Sequence, residues 1–239
     1  MASSPSSVAP QPGRGSLVVA VAVAVAGVLA VTFFGLFFAR GSALTSAELA
    51  VVSSLNELRV GVVGAVASLI YVILSPIPAI AMTAVATAVI WLITRRLTVA
   101  MTFAVVVAVA WLPSALVKAL VHRPRPDPQF LSHPLANQPV DASYPSGHEV
   151  FIAAVAVVAF LMVSGGLARA LVAAAGVVGI TAVGFSLVIT GAHHPTDVAA
   201  SVLWAVTTVP AIMLIWRRWV LPPLERWLRP RRIGPVAQP

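Results

Sequence analysis

Long apolar runs, broken by short connectors that carry nearly all the charge, leave this chain few ways to fold. From Leu17 to Ala39 there is no charged side chain, and the stretch exceeds the roughly 20 residues needed to cross a hydrocarbon core. The runs Gly61–Ile93, Leu97–Val117, Glu149–Val163, Arg169–Thr190 and Val198–Ile215 repeat the pattern. With 59% of its 239 residues hydrophobic, only 9% charged and a mean hydropathy of +0.99, the chain lacks the polar surface to enclose these runs as a soluble domain. The expected fold is all-α: a polytopic membrane protein with a six-transmembrane-helix bundle.

The Ser-, Pro- and Gly-rich residues 1–14 read as a disordered cytoplasmic tail, 15–220 as the six-span membrane domain and 221–239 as a basic cytoplasmic tail. The first run lacks a short h-region and cleavage site, so it reads as a retained span rather than a signal peptide. The second is long for one helix and holds Pro76 and Pro78, which interrupt backbone hydrogen bonds and favour a kink. Taking it as one span places Arg14, Arg95, Arg96, Arg169, Arg217, Arg218 and the arginine-rich tail on one side. By the positive-inside rule that side is cytoplasmic, in a multi-pass protein of the cell inner (cytoplasmic) membrane with both termini inside. Two full spans here would break the parity.

The net charge of +8 then reads as topology and attraction to anionic lipid headgroups, not as a nucleic-acid footprint. Without cysteine there is no disulfide, thiolate or Cys-based metal chemistry.

Three polar clusters meet on the extracytoplasmic face. The only lysine, Lys118, opens Lys118–Pro126, which includes His122, Arg123 and Arg125. Lys118 and Arg125 can hold an oxyanion, and the arginine fork suits phosphate oxygens. Ser146 and Gly147 precede an apolar helix whose first N–H groups form an anion seat, and His148 at the same start can donate a proton. His193 and Asp197 stand four apart, so the carboxylate can fix the imidazole tautomer and free the other nitrogen to attack. Each cluster alone is ordinary: a turn, an interfacial histidine, a lysine reaching the headgroups. Their convergence on one face argues for a site. Zinc held by histidines and Asp197 is the chemical competitor, but cationic Lys118 and Arg125 oppose a nearby metal, so neither metal nor cofactor is expected.

On these residues the chain resembles the membrane-bound type 2 phosphatidic acid phosphatase family, which dephosphorylates lipid phosphates. The family's Lys-x6-Arg-Pro motif matches Lys118 through Arg125 and Pro126, and its Pro-Ser-Gly-His motif is intact at Pro145–His148. Its Ser-Arg-x5-His-x3-Asp motif falls on Ser186, His193 and Asp197, with Leu187 where the family has arginine. The resemblance implies that His193 attacks phosphorus to form a phosphohistidine, Asp197 orients it and His148 protonates the leaving group. Lys118, Arg125, Ser146 and Gly147 would bind the phosphate. In the family the missing arginine helps clamp that phosphate, a contribution of several kcal/mol. Arg123 is the candidate replacement, and His122 and His194 are structural or auxiliary candidates.

The expected substrate is a lipid phosphate or diphosphate drawn from the membrane lipids, with polyprenyl diphosphate favoured by the extracytoplasmic orientation. Phosphatidate and phosphatidylglycerol phosphate are the alternatives. Leu187 also admits a non-catalytic lipid-phosphate binding or transport protein.

Overall fold

The structure, a computed structural model, describes residues 14–41, 43–137 and 140–228. The expected tail at 1–14, Arg14 backbone aside, and residues 229–239 of the expected basic tail lie outside the described residues. The helices are α1 (Arg14–Ala39), α2 (Ala43–Asn56), α3 (Gly61–Ile73), α4 (Pro76–Thr94), α5 (Leu97–Trp111) and α6 (Ser114–Val121). They are followed by α7 (Gly147–Met162), α8 (Gly166–Ile189), α9 (Pro195–Ile215) and, after a π turn at Trp216–Val220, α10 (Leu221–Leu228). Among the described residues, five stretches are long and apolar enough to cross a membrane: Gly15–Ala39, Pro76–Thr94, Leu97–Val121, Gly166–Ile189 and Pro195–Leu228. Helices α3 and α7 are shorter apolar helices, so the chain is all-α and polytopic.

The 61–93 run is not one kinked helix. It stops at Ile73 and restarts at Pro76, with Ser75 extended at ψ 161°. A residue before proline is pushed out of the α region, and proline at the first helical position loses no hydrogen bond the helix would have made. The two pieces touch little: α3 packs on α8 and α4 on α5. The Leu97–Val117 run likewise divides at Leu112–Pro113 into α5 and α6, and several helices start earlier than their apolar runs. Helix α7 begins at Gly147 and α9 at Pro195, where proline again occupies the first turn.

Helix α7 is the hub, packed against α5, α8 and α9, while α1 runs along α9. The buried core mixes Phe103, Val106, Phe151, Leu187 and Val209 with small residues such as Ala153, Ala154 and Ala205. In lipid, close packing replaces the hydrophobic drive between helices, and small residues permit it. At Gly27 a side chain would overlap Thr207 of α9, so the α1–α9 contact requires glycine there. The outer surface is apolar, with Ile77 82% and Leu116 74% exposed, as a lipid-facing surface must be.

Helix α2 lies across the end of the bundle where the polar motifs meet. Buried Asn56 fastens it, donating to the carbonyls of His133 and Ile189 and accepting from His133 N–H. This position carries Glu48 inward, where it is 5% exposed.

Glu149 is an exception to the matching of buried polar groups. It is fully buried, and neither carboxyl oxygen has a hydrogen-bond partner. Gly184 of α8 faces it, since a Cβ there would lie 3.7 Å from Oε2. An unpaired buried polar group costs about 1–3 kcal/mol. Glu149→Leu, similar in reach and keeping the backbone bond to Ser146, is therefore expected to raise the thermal unfolding midpoint in detergent by several degrees. An unchanged or lower midpoint would mean that the carboxyl is satisfied in the folded protein.

Candidate active site

Four chain segments converge: the end of α6, the loop around Arg123–Arg125, the start of α7 and the start of α9. Backbone and side-chain ties hold them in register. Ser143 N–H donates to Arg123 O at 2.8 Å, Trp111 Nε1 to Gly147 O at 2.9 Å, and Tyr144 Oη to Val31 O at 2.7 Å. Ser201 Oγ lies 2.7 Å from Asp197 O and 3.1 Å from Ser146 O, linking α9 to the α7 start.

His193 lies one residue outside the α9 cap, not on the helix itself. Its neighbour His194 is the N-cap, and Asp197, in the first turn, accepts His194 N–H at 2.9 Å through Oδ2. The same oxygen stands 3.4 Å from His193 Nδ1, close to the ring without an aligned hydrogen bond. On the other side of the ring, Nε2 is 3.3 Å from Arg125 Nη1. Arginine only donates, so Nε2 presents its lone pair and Nδ1 carries the hydrogen, an assignment made from the partners. Burial, the largest influence, pushes the imidazole down to about 3; Arg125 and Lys118 add to this while Asp197 opposes it. The ring is neutral at pH 7, as a nitrogen nucleophile must be.

Asp197 is itself fixed from behind. Arg123 Nη1 donates to Asp197 Oδ1 at 2.6 Å and to Thr196 Oγ1 at 2.7 Å, and Nη2 donates to Glu48 Oε2 at 2.7 Å. Glu48 Oε1 accepts from Thr196 N–H and Oγ1. The guanidinium also lies 5.3 Å from the centroid of the Phe38 ring. Arg123, expected as the replacement for the arginine absent at Leu187, thus lies behind Asp197 and bonds to Asp197, Thr196 and Glu48. Its side chain is 1% exposed, its Nη1 and Nη2 are committed to two carboxylates, and its Nε hydrogen is buried without a partner. Leu187 itself lies in the apolar core.

Lys118 and Arg125 do come together. Lys118 Nζ is 3.1 Å from Asp141 Oδ2, and Arg125 Nη2 is 2.7 Å from Asp141 Oδ1. Arg125 also donates to Ala192 O at 2.7 Å, which places it over His193. His148 stacks on Tyr71 with centroids 4.8 Å apart and faces His193 edge-on at 6.4 Å. Its Nε2 is 3.1 Å from Tyr71 O, which can only accept, so Nε2 carries a hydrogen and Nδ1 is the free nitrogen.

The remaining candidates divide. Ser146 caps α7 by accepting Glu149 N–H at 3.4 Å, while Gly147 opens the helix. His122 is exposed and ends α6 in a left-handed turn at φ 49°, away from this cluster of contacts. His194 is buried with Nδ1 unpartnered, and burial holds it below the ordinary imidazole range. Ser186, first residue of the third motif, ties α8 to α3 by donating to Ala67 O at 2.7 Å.

Sequence reasoning missed Glu48, Thr196, Asp141 and Tyr71. A signal existed for the acids: three cations crowded into Lys118–Arg125 need counter-charges, and Glu48 and Asp141 lie on the same expected face.

Among curated proteins none matches this sequence. A solved structure shares the fold: a transmembrane PAP2-type phosphatidylglycerolphosphate phosphatase from Bacillus subtilis, 20% identical, at a TM-score of 0.62. The likeness covers 87% of this chain and 98% of that one. The family model of the PAP2 superfamily matches residues 97–221, a stretch that contains all three polar motifs. That match takes in more than half of the chain, and this chain belongs to the PAP2 superfamily of membrane lipid-phosphate hydrolases.

Proposed function

We propose that this protein hydrolyses the phosphate monoester of a glycerophospholipid, with phosphatidylglycerol phosphate the first candidate. The observation that carries this reading is the cation inventory. Lys118 and Arg125 are the cations acting on both His148 and His193, the third family position is buried Leu187, and Arg123 is neutralised elsewhere. Two cations suit a phosphate monoester, whereas a diphosphate brings more charge than this pair balances. The substrate named for the Bacillus subtilis protein of like fold agrees.

In this reading His193 Nε2 attacks phosphorus as the bond to the lipid oxygen breaks, forming a phosphohistidine. His148, steadied at Nε2 by Tyr71 O, takes onto its free Nδ1 the proton that a phosphate monoester monoanion brings and passes it to the departing oxygen. Water then attacks the phosphohistidine and phosphate leaves. Lys118, Arg125, the Gly147 N–H and Ser146 hold the equatorial oxygens, with no metal. The membrane domain, 15–220, crosses six times: α1, α3 with α4, α5 with α6, α7, α8 and α9. At a 1.5 Å rise the 16 residues of α7 span about 24 Å, enough for a short crossing within the bundle. Both termini are cytoplasmic and the site faces outward, consistent with the arginine distribution.

The test is phosphate release from phosphatidylglycerol phosphate, phosphatidate and polyprenyl diphosphate in mixed micelles, with and without chelator. Release is expected fastest from a glycerophospholipid monoester and unaffected by chelator. Lys118→Ala should lower it about tenfold or more, at least about 1.4 kcal/mol of transition-state stabilisation. Fastest release from the diphosphate would restore the polyprenyl reading. Lipid binding with no release would favour a binding or transport protein.

A further inference from the structure

The two cations of the phosphate site are bridged by one carboxylate. Asp141 Oδ2 receives Lys118 Nζ at 3.1 Å, Oδ1 receives Arg125 Nη2 at 2.7 Å, and its backbone oxygen receives Arg125 Nε at 3.1 Å. A carboxylate so placed presents two anionic oxygens to the same donors that a phosphate would engage. Burial in part favours the neutral acid, but the bonds and charges of Arg125 and Lys118 outweigh it, so the group is held below the usual carboxylate range and is anionic at neutral pH.

Asp141 differs from the carboxylates behind His193. Its side chain is 53% exposed, whereas Asp197 and Glu48 are 0% and 6% exposed. It sits on the connector before α7, beside fully exposed Val140, and among the described residues only Lys118 and Arg125 pair with its carboxylate. A phosphate reaching His193 Nε2 must take donors from Arg125 and Lys118. A second anion left between the same cations would repel it.

We propose that Asp141 is a resident anion of the phosphate seat: it occupies Lys118 and Arg125 in the empty site, yields them to the entering phosphate and retakes them as the product leaves. This rests on the reading of Lys118 and Arg125 as phosphate ligands. Asp141 thereby weakens phosphate binding and hastens release of inorganic phosphate, and it offsets part of the charge of two clustered cations between turnovers. A carboxylate that merely propped the cations in position would act in the opposite direction, because its loss would disorder them and weaken binding.

The sign of one measurement separates the two. Inorganic phosphate is titrated against the purified full-length protein in detergent, with binding read from the rise in thermal midpoint, for wild type, Asp141→Asn and Asp141→Ala. Both variants are expected to bind inorganic phosphate about tenfold more tightly and to show correspondingly stronger product inhibition. Unchanged or weaker binding in both variants overturns the proposal. Lys118→Ala, run in parallel, tests the seat separately: it should weaken phosphate binding, and undiminished binding there would overturn the assignment of the seat and the proposal with it.

Discussion

His193→Ala is expected to reduce phosphate release by about a thousandfold or more, the scale seen when a nucleophile is removed from a catalytic unit. The imidazole is placed for one task. Its Nε2 lone pair faces Arg125 at 3.3 Å, and its Nδ1 side faces Asp197 at 3.4 Å. Because the ring stays neutral down to about pH 3, nucleophilicity at neutral pH needs no prior deprotonation. His194 is the rival nucleophile, buried with an unpartnered Nδ1. Its backbone N–H is the group that Asp197 caps, so its ring lacks the orienting carboxylate contact that His193 has. Rapid acid-free quenching with labelled substrate should trap labelled phosphohistidine in wild type and in His194→Ala, and none in His193→Ala. Label retained in His193→Ala would overturn the assignment.

Arg123→Leu is expected to be the most destabilising single change, at roughly 3–5 kcal/mol, because it leaves buried carboxylates unpaired. Glu48 and Asp197 are 6% and 0% exposed and both bond to the guanidinium. Activity should fall with stability, since Asp197 would then be drawn toward a proton or away from His193. Arg123→Lys keeps the charge but not the fork that reaches Asp197, Thr196 and Glu48 together, so it should be intermediate. Arg123→Leu combined with Glu48→Gln should recover part of the lost stability and little of the activity. Thermal unfolding in detergent, read beside phosphate release, checks this. An Arg123→Leu protein as stable as wild type would show that the buried acids need no counter-charge.

Much of this protein is legible in one dimension, for physical reasons. Apolar run length reports spanning capacity, and these runs mark the helices that carry Gly15–Ala39, Leu97–Val121, Gly166–Ile189 and Pro195–Leu228. Local chemistry announces helix starts: Ser146 marks the start of α7 just before His148, and Pro195 that of α9 just after His193 and His194. Even the break at Ser75 is encoded in Pro76, although the run length alone disguised two helices as one.

Charge pairing is a different kind of information. Arg123 and Glu48 are 75 positions apart, Arg123 and Asp197 are 74 apart, and Lys118 and Asp141 are 23 apart. Neighbouring Arg123 and Arg125 look equivalent on paper, yet one is sealed behind Asp197 and the other lies over His193. The membrane architecture and the location of the site on one face follow from the order of residues, because hydropathy and capping act over a few turns. Which arginine is sealed behind Asp197, and which lies over His193 paired with Asp141, depends on distances between separate elements, and only the packed bundle sets those distances.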